Sequence, residues 1–449
     1  MRKYLLALLV ALLAASCDWP QFHGDAARTG FQPIESKIGA STVGSLSEVW
    51  TASIGPSASS PVVAGGSVYI GNGSAESNRG SLDVFDAAGQ TNCSGSPKVC
   101  RPLWGASTIV GVAATPAVVN GFVYVVDELG ALSAFDAEGP SHCTGAPHCP
   151  LLWSADTGIG IGGSPAVSGG VVYVGTGDRL SAYDAAGTTN CALTPAGFHF
   201  CEPLWTASTD SPIGASVAVA DGVVYAGSQD GTLYAYDAAG TSNCTGTPKV
   251  CAPLWTASAN GSTGYSSVVG GGSIFTIDGS RRLRVFDAAG ATNCSGRPKI
   301  CRPLWTARVP ASTGDSSADT PALATGRLYV GTAVYDARGV TNCRGRPTVC
   351  APLWRTSGGG RLPVVANGIE FAGGSLPSDG GPPLPLNAFD ATGTSKCSGA
   401  PTTCRPLWTV DPGGPIYGSP AVVNGVLYVA TWGDPSSFIP GTLHAYALG

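Results

Sequence analysis

A self-similar segment of about 50 residues recurs along almost the whole chain and restricts the folds open to it. Its clearest copy, Gly222 to Ser258, reads GVVYAGSQDGTLYAYDAAGTSNCTGTPKVCAPLWTAS. The Trp of its closing Pro-Leu-Trp occurs seven times (Trp153 in a Leu-Leu-Trp variant), at spacings of 49 to 54 residues: Trp104, Trp153, Trp205, Trp255, Trp305, Trp354 and Trp408. A regular period of this length indicates a repeat architecture, in which each unit buries apolar surface against its neighbours.

Each repeat contains four short runs of strand-forming residues. In the copy above, Val223–Ala226 and Leu233–Tyr236 are bounded by Asp-Gly turns, a further run precedes Asp221, and the fourth contains Trp255. Turn residues between β-branched and aromatic runs predict antiparallel strands. One such unit has too little apolar surface to be stable alone, so the repeats are predicted to be blades of a β-propeller.

The number of blades follows from counting strands. An inner-strand signature of Ser or Thr followed by Pro-Ala-Val, or a relative of it, begins near Ser60, Thr115, Ser164, Ser216, Ser267, Thr320, Leu362 and Ser419. The Trp strand also occurs eight times, because Trp50 is a copy without cysteines. Since the chain ends at a third strand, Leu443–Tyr446, we predict an all-β, eight-bladed β-propeller of four-stranded antiparallel blades, closed by an N-terminal strand completing the last blade.

Three blades depart from the pattern. Blade 6 lacks the Asp-Gly turn between Gly326 and Asp336, so its second and third strands should be joined abruptly or partly lost. Blades 7 and 8 carry the insertions Ser375–Pro385 and Gly433–Gly441, which we expect on the face opposite the cysteine loops. Loops of that length are more often functional or disordered than plain connections.

Residues 1–17 are typical of an export signal. Arg2 and Lys3 precede the apolar run Tyr4–Ala15, which is too short to span a bilayer. The small residues before Cys17 resemble a bacterial lipobox, although its Leu lies one place further from the Cys than usual. We therefore expect a chain lipidated at Cys17 and anchored to the bacterial envelope, or a secreted chain cleaved nearby. An irregular leader, residues 18–45, would precede a propeller over 46–449.

Charge disfavours one class of partner. Without residues 1–16 the chain has 22 basic and 29 acidic residues, whereas nucleic-acid binding proteins carry a basic surface. We expect a monomer that contacts a membrane only through the lipid.

Fourteen of the 15 cysteines form seven local pairs. The pairs are Cys93/Cys100, Cys143/Cys149, Cys191/Cys201, Cys244/Cys251, Cys294/Cys301, Cys343/Cys350 and Cys397/Cys404. An even, regularly paired set in an exported chain predicts disulfides. Metal binding is the weaker interpretation, because each loop offers two sulfurs and tetrahedral sites need four ligands. The stapled loops would stiffen one rim of the ring or, alternatively, form a recognition surface.

The leader sequence Asp18-Trp-Pro-Gln-Phe-His-Gly and the repeat motif Tyr236-Asp237-Ala238 followed by Trp255 resemble the PQQ-like (pyrroloquinoline-quinone-type) β-propeller family. The resemblance covers about residues 18–449, with the cysteine loop in place of the family's short turn. It implies that the tryptophans dock between blades: Trp50, Trp104, Trp153, Trp205, Trp255, Trp305, Trp354 and Trp408. Because the superfamily includes both BamB-like proteins and quinoprotein alcohol dehydrogenases, the resemblance leaves function open.

The chemistry of a quinoprotein dehydrogenase is not evident in the residues. The resemblance implies that an alcohol-oxidising member would have two adjacent cysteines, a carboxylate-rich calcium site and an Asp base. This chain has no Cys-Cys pair. The repeated aspartates, such as Asp237, are better explained as turn caps. The five histidines show no metal-binding spacing. We therefore expect no catalytic residue, no metal ligand and no cofactor, with PQQ and calcium required only under the alternative below.

These observations favour an exported, non-catalytic propeller that acts as a binding or scaffolding module at the bacterial cell envelope, with a protein or an envelope polymer as partner. The alternative is a PQQ-dependent oxidoreductase; a third class is a carbohydrate- or polymer-binding enzyme subunit. Partner recognition is expected on the face with unlike loops, with Trp432 and Phe438 as exposed anchors, unless these two side chains serve ordinary loop packing. The loops are Gly71–Gly80, Gly177–Arg179, Ser228–Gly231, Asp278–Arg282, Ser375–Pro385 and Gly433–Gly441.

Overall fold

Eight antiparallel sheets form the blades of a ring in the computed structural model. It describes residues 17–73, 80–108, 110–112, 114–139, 149–158, 160, 163–259, 266–310, 320–358, 361–374, 383–433 and 439–449. The innermost strands contact one another in succession from blade 1 to blade 7, and that of blade 1 also contacts that of blade 8. The predicted all-β, eight-bladed propeller is therefore confirmed.

Each blade has four strands, a to d, from the central channel outwards. The inner strands, a, are Val62–Ala64, Ala117–Val119, Ala166–Ser168, Ala218–Ala220, Val268–Gly270, Ala322–Ala324, Arg361–Ala366 and Ala421–Val423. Strands b are Ser67–Gly73, Phe122–Val126, Val171–Thr176, Val223–Gly227, Ser273–Ile277, Arg327–Val330, Ile369–Gly373 and Val426–Thr431. Strands c are Gly80–Asp86, Ala131–Asp136, Arg179–Asp184, Thr232–Asp237, Arg282–Asp287, Ala333–Asp336, Leu386–Asp390 and Gly441–Leu448. Strands d are Trp104–Thr108, Trp153–Asp156, Trp205–Ser208, Trp255–Ser258, Trp305–Arg308, Trp354–Thr356, Trp408–Val410 and, in blade 8, Leu46–Ile54.

The strand sequences follow from burial on both faces. Each blade packs between two others, so in strand b of blade 4 every residue from Val224 to Gly227 is buried. Such strands are continuously apolar instead of alternating. The a–b turn of this blade has two residues at positive φ, Asp221 (+49°) and Gly222 (+76°), which is why Asp-Gly, Asn-Gly and Gly-Gly pairs recur there.

The ring closes through the N-terminal strand, as predicted. Leu46–Ile54 pairs antiparallel with the C-terminal strand Gly441–Leu448, so that Trp50 lies opposite Ala445 and Thr51 opposite His444. A bulge between Glu48 and Trp50 shifts the register by one residue. The first and last strands of the propeller thereby share one blade.

Blade 6 joins its strands b and c through two residues only. Strand b ends at Val330 and strand c begins at Ala333. The abrupt connection predicted from the missing Asp-Gly turn is confirmed, and both strands persist in shortened form.

The cysteine loops lie against the outer strands of neighbouring blades and do not project from one rim of the ring. Each loop described in full forms a two-stranded hairpin, which we call a cysteine hairpin, and its second strand pairs parallel with strand d of the preceding blade. Val250–Cys251 of blade 4, for example, pairs with the Trp205 strand of blade 3. The described hairpin strands are Cys93–Ser94 and Lys98–Cys100, Cys191–Leu193 and His199–Cys201, Cys244–Thr245 and Val250–Cys251, Cys294–Ser295 and Ile300–Cys301, Cys343–Arg344 and Val349–Cys350, Cys397–Ser398 and Thr403–Cys404.

This crossover protects the outer edges of the sheets. Blade 8 has no hairpin of its own because its strand d comes from the N-terminus, yet it is covered by the hairpin of blade 1. A hairpin of blade 8 would cover strand d of blade 7, Trp408–Val410. No hairpin strand in the described part of the chain pairs with that strand. The sequence places the missing hairpin in blade 8 correctly, but the uncovered edge falls one blade earlier.

The leader is more ordered than its irregular sequence predicts. It runs inside the channel, near the a–b turns, and makes backbone hydrogen bonds to the inner strands in turn. Trp19 pairs with Val63 of blade 1, the amide of Val219 in blade 4 donates to Ala26 O (2.7 Å), and that of Val365 in blade 7 donates to Gly30 O (2.7 Å). Phe31–Gln32 then pairs parallel with strand a of blade 7. The described leader residues therefore seal the cysteine-hairpin end of the channel.

A ring of hydroxyl groups connects the inner strands, and this explains the recurrent Ser or Thr of the inner-strand signature. From blade 8 through blades 1 to 4, the amide of this residue donates to the hydroxyl of the equivalent residue one blade further on. Ser419 donates to Ser60 Oγ (2.8 Å), and Thr115 donates to Ser164 Oγ (2.9 Å). In blades 8 and 1 to 5 these short side chains hold neighbouring blades together at the axis.

Candidate functional site

The sealed end of the channel is organised around Arg28, which is fully buried. Its guanidinium donates to four carbonyl oxygens, those of Val217 (3.0 Å), Phe22 (3.1 Å), Ser164 (3.0 Å) and Pro165 (3.0 Å). Burial lowers the pKa of Arg28 to about 10, so it stays charged at neutral pH. These hydrogen bonds hold the leader to blades 3 and 4.

His23 lies beside Arg28 and is also fully buried. Its Nδ1 donates to the carbonyl oxygen of Arg28 (3.0 Å). Burial lowers the pKa of His23 to about 4, so the ring is neutral at physiological pH. The polar leader residues at this end stabilise the closure of the channel.

The repeated tryptophans lie at the contacts between blades. The indole N–H of Trp205 donates to Ala238 O of the next blade (3.1 Å), and Trp153 and Trp255 do the same with Ala185 and Ala288. Seven of the eight side chains are buried: Trp50, Trp104, Trp153, Trp205, Trp255, Trp305 and Trp354. Trp408, on the uncovered edge, is only partly buried and donates to Leu46 O (3.2 Å).

A tyrosine of strand b completes the contact in several blades. The hydroxyl of Tyr173 donates to Ala238 O (3.0 Å), the same carbonyl oxygen that accepts from Trp205. Tyr428 and Trp50 converge on Ala87 O in the same way. Sequence reasoning missed this role, although a Tyr at the same place in most repeats was a usable signal.

The repeated aspartates cap the turns that present these carbonyl groups. Asp237 Oδ2 accepts hydrogen bonds from the Thr241 hydroxyl (2.6 Å) and from the amides of Thr241 and Ser242. Burial alone would raise the pKa of Asp237, but these hydrogen bonds outweigh it and lower the pKa to about 2. Turn capping therefore explains this carboxylate.

Disulfides close the cysteine hairpins, as predicted. Six are present among the described residues, and each links the two cysteines of one loop. In the seventh loop Cys143 lies outside the described residues; Cys149 is disulfide-bonded and its amide donates to Gly105 O of the preceding blade. Disulfides are typical of proteins that mature outside the reducing cytosol.

Cys17 is the remaining cysteine, and it is buried near the a–b turn of blade 8. Its Sγ accepts the amide N–H of Asn424 (3.4 Å). Burial raises the pKa of the Cys17 thiol. Lipidation at Cys17 stays a prediction, and residues 1–16 lie outside the described part of the chain.

At the opposite end of the channel, the b–c and d–a connections form what we call the variable face. Trp432, predicted as an anchor, is partly buried there and packs on Tyr417 with ring centroids 4.5 Å apart. The indole N–H of Trp432 donates to Ala58 O (2.7 Å), so one edge of the ring ties blade 8 to the entry into blade 1. The guanidinium of Arg361 lies over Tyr417, 5.9 Å from the centre of its ring.

Several predicted features of this face lie beyond the described residues. Phe438 is one of them, as are 74–79, 375–382 and 434–438, the greater part of three of the loops. The structure therefore brings Trp432 together with Tyr417 and Arg361, and it does not place the second predicted anchor.

One buried acid stands apart from the pattern. Glu370 occupies, in strand b of blade 7, the position held by buried aliphatic residues such as Val224 and Leu427 in other blades. Burial raises the pKa of Glu370 to about 8. Within the described ranges no cluster of three or more His, Cys, Asp or Glu side chains is arranged to hold a metal, and no helix is long and apolar enough to cross a membrane.

Comparisons with known proteins agree with this architecture. Residues 202–367 match the family described as outer membrane protein assembly factor BamB. No curated protein sequence matches the chain. Among solved structures, a europium-containing methanol dehydrogenase is 15% identical, with a TM-score of 0.59 over 96% of this chain and 98% of the other.

Two further structures share the fold at low identity. BamB from Moraxella catarrhalis is 12% identical, with a TM-score of 0.56 over 90% of this chain and 99% of that chain. The computationally designed Ika8 protein is also 12% identical, with a TM-score of 0.58 over 89% and 99%. Structural similarity at this level of sequence identity shows a shared fold and does not show a shared activity. The resemblance to PQQ-like β-propeller proteins that the repeats predicted is therefore confirmed, by the family match over residues 202–367 and by the shared fold.

Proposed function

We propose that the protein is an exported, non-catalytic binding or scaffolding module of the bacterial cell envelope, which recognises its partner on the variable face. The observation that carries this proposal is the Tyr417–Trp432 pair, which lies beside Arg361 between the entries to blades 7, 8 and 1. Tyr and Trp are among the residues that most often dominate the binding energy of protein interfaces. Arg361 is buried and lies against the Tyr417 ring.

The rest of the molecule supports a role as a rigid platform. Disulfide-closed hairpins brace the outer edges, the hydroxyl ring connects the inner strands, and the leader closes one end of the channel. Recognition usually resides in unlike loops held on such a scaffold. The variable face has that character, whereas the cysteine hairpins are nearly identical from blade to blade.

The hydrogen bond from Trp432 to Ala58 gives the indole a structural role, which the variants must separate from a role in binding. Trp432→Ala removes the whole indole and also loosens the loop, whereas Trp432→Phe keeps a six-membered aromatic ring and removes the five-membered ring with its N–H donor. Tyr417→Ala removes the neighbouring ring without breaking that bond. A binding role predicts a large loss of affinity for Tyr417→Ala and Trp432→Ala and a small one for Trp432→Phe.

The experiment is a quantitative pull-down from envelope extracts with the wild type and these variants. Phe200→Ala is the matched control, because Phe200 is an exposed aromatic (39%) on a cysteine hairpin. We expect at least about a tenfold loss of partner recovery for the variable-face alanine variants, a cost typical of hot-spot residues. Unchanged recovery with a loss for Phe200→Ala would move the site to the hairpins.

Export and anchoring belong to the same proposal. The disulfides indicate an oxidising compartment, and the lipobox-like sequence motivates a lipid on Cys17. Intact-mass measurement of the mature protein from membranes should show an acylated N-terminal Cys17; an unmodified chain in the medium would favour secretion.

The oxidoreductase alternative has a direct test. Dye reduction with alcohols after reconstitution with PQQ and calcium would overturn the non-catalytic part of the proposal. Absence of turnover, alongside specific partner capture, is the result expected.

A further inference from the structure

Positive charge is concentrated in one sector of this acidic protein. Residues 278–361, which extend from the b–c turn of blade 5 to the start of blade 7, contain 13 of the chain's 24 lysines and arginines. They contain only five of its 29 acidic residues. The sector has a net charge of +8, while the whole chain has −5.

Four of these arginines line one groove of about 920 Å³ at the outer side of blade 5. Arg282 and Arg284 come from strand c, Arg302 precedes strand d, and Arg346 is brought in by the cysteine hairpin of blade 6. No carboxylate is among the described residues that line the groove. The crossover of the hairpin thus unites cations that lie up to 64 residues apart.

The arginines differ in what they already bind. Arg284 is nearly buried; its guanidinium pairs with Asp278 (3.3 Å) and donates to Ala259 O (2.9 Å). Arg282, Arg302 and Arg346 are exposed. Arg284 is therefore partly neutralised and fixed at the floor of the groove, and the three exposed guanidiniums are the groups offered to a ligand.

The repeat provides an internal comparison. In blade 4 the residues equivalent to Arg282, Arg284 and Arg302 are Thr232, Tyr234 and Ala252. Of the four arginine positions, only the hairpin position is basic beside both blades, as Arg297 beside blade 4 and Arg346 beside blade 5; Lys299 stands beside blade 4 where the groove has Thr348. Since the two blades have the same strands and the same register, the extra cations are not required to form a blade.

We propose that this groove binds an acidic saccharide chain, through carboxylate or phosphate groups carried on its sugars. The guanidinium fork matches the two oxygens of either group, and several forks along one groove suit a ligand with repeated charges. Between the arginines lie neutral polar groups, Thr306 and Thr348, and the apolar surfaces of Pro303 and Val349. These suit the hydroxyl groups and the ring faces of sugars.

A flat anionic membrane fits the groove less well. The floor of the groove at Arg284 is nearly buried, so a planar surface cannot reach it. Outside residues 278–361 the chain has a net charge of −13, which repels an anionic surface as it approaches. The groove meets the variable face at Arg282, but it lies on blade 5 and does not include Tyr417 or Trp432, so it does not depend on the function proposed above.

The test measures binding of hexagalacturonate and of a phosphomannan oligosaccharide to the full chain by calorimetry. Cellohexaose is the neutral control, and inorganic phosphate and anionic phospholipid vesicles distinguish the other sources of the same chemistry. We expect at least one acidic oligosaccharide to bind, with an affinity that falls as salt rises from about 50 to about 500 mM because ions screen the charges (about 14 to 4 Å Debye length). Cellohexaose should not bind.

The variants separate a built site from general charge attraction. Arg302→Ala with Arg346→Ala should weaken binding at least about tenfold, the loss expected for two charge-assisted contacts. Arg297→Ala, at the position beside blade 4 that is equivalent to Arg346, and Trp432→Ala should leave it unchanged. All altered arginines are exposed, so the folded state is checked simply by an unchanged melting temperature.

Three results would overturn the proposal. They are no binding of either acidic oligosaccharide, equal losses for Arg297→Ala and for the double variant, and preferential binding to vesicles or to inorganic phosphate.

Discussion

At the scale of single residues, one carbonyl group accepts from both a Trp and a Tyr of the preceding blade at several blade contacts. Ala238 O accepts from both Trp205 and Tyr173, and the turn that presents it is fixed by Asp237 and by Gly240 at φ +61°. A Cβ on Gly240 would overlap the Trp205 indole. The Asp-Ala-Ala-Gly motif is therefore the docking surface for the tryptophan of the preceding blade.

Gly240→Ala should be far more costly than a glycine substitution that meets only backbone strain. Gly222, at φ +76°, is the matched control, because a Cβ added there would meet no atom within 4 Å. We expect Gly222→Ala to lower the free energy of unfolding by about 1–2 kcal/mol and Gly240→Ala by about 3–4 kcal/mol. Denaturant melts measure both; equal losses would contradict docking on Gly240.

Glu370 makes stability depend on pH. Its pKa is raised from 4.5 in the unfolded chain to about 8 in the fold, so the folded state keeps a proton that the unfolded chain loses. The contribution of protonated Glu370 to the free energy of unfolding is fully present below pH 4.5 and is lost as the pH rises towards 8. Glu370→Leu should therefore raise the free energy of unfolding at about pH 8, by on the order of 3 kcal/mol, and much less at about pH 4.5. Thermal melts at the two pH values measure the difference.

Glu370→Gln is the control for charge alone. It should flatten the same pH dependence without the full gain, because its amide stays polar in an apolar position. A pH dependence between 4.5 and about 8 that survives in both variants would assign it to another group.

At the scale of elements, the cysteine hairpin belongs by sequence to one blade and by hydrogen bonding to the blade before it. The amide of Thr206 in blade 3 donates to Lys249 O of the blade 4 hairpin (3.0 Å), and Thr256 donates to Lys299 O (2.9 Å) in the same way. A sheet edge without such cover is a site of unwanted strand pairing. The hairpins are therefore edge covers that also link successive blades.

Cys244→Ser with Cys251→Ser should loosen blade 3 more than blade 4. Loss of a short disulfide loop removes about 2–3 kcal/mol of constraint on the unfolded chain, and the freed hairpin would uncover the Trp205 strand. Hydrogen exchange should become faster at Thr206 and stay unchanged at Thr256, which the Cys294–Cys301 hairpin still covers. Faster exchange confined to blade 4 would refute the crossover.

At the scale of the whole molecule, closure is made twice. The Trp50 strand completes blade 8 at the outside, and the leader contacts successive inner strands on the inside. Arg28 is the centre of the inner closure, since its hydrogen bonds reach blades 3 and 4 from the leader. The two closures make the stability of the ring depend on residues before its first blade.

Arg28→Leu should destabilise the entire ring. The substitution leaves four buried carbonyl groups without their donor, and each unsatisfied group costs about 1–3 kcal/mol. We expect a single cooperative melting transition, lowered by more than roughly 10 °C relative to the wild type. Ser41→Ala, an exposed leader substitution in the turn before strand Leu46–Ile54, should change little; a comparable loss there would argue against a special role for Arg28.

The repeat by itself determined the blade number, the closing strand, the disulfide partners within each loop and the turn-capping aspartates. All of these depend on residues close in sequence, or on a period that places identical strands in identical positions. Only the tertiary structure decided that a hairpin covers the preceding blade, that the leader lines the channel, that Trp432 is tied to Ala58, and that Arg346 joins Arg282. These contacts join residues up to several hundred positions apart, and they arise from the curvature of the closed ring, which no local pattern encodes.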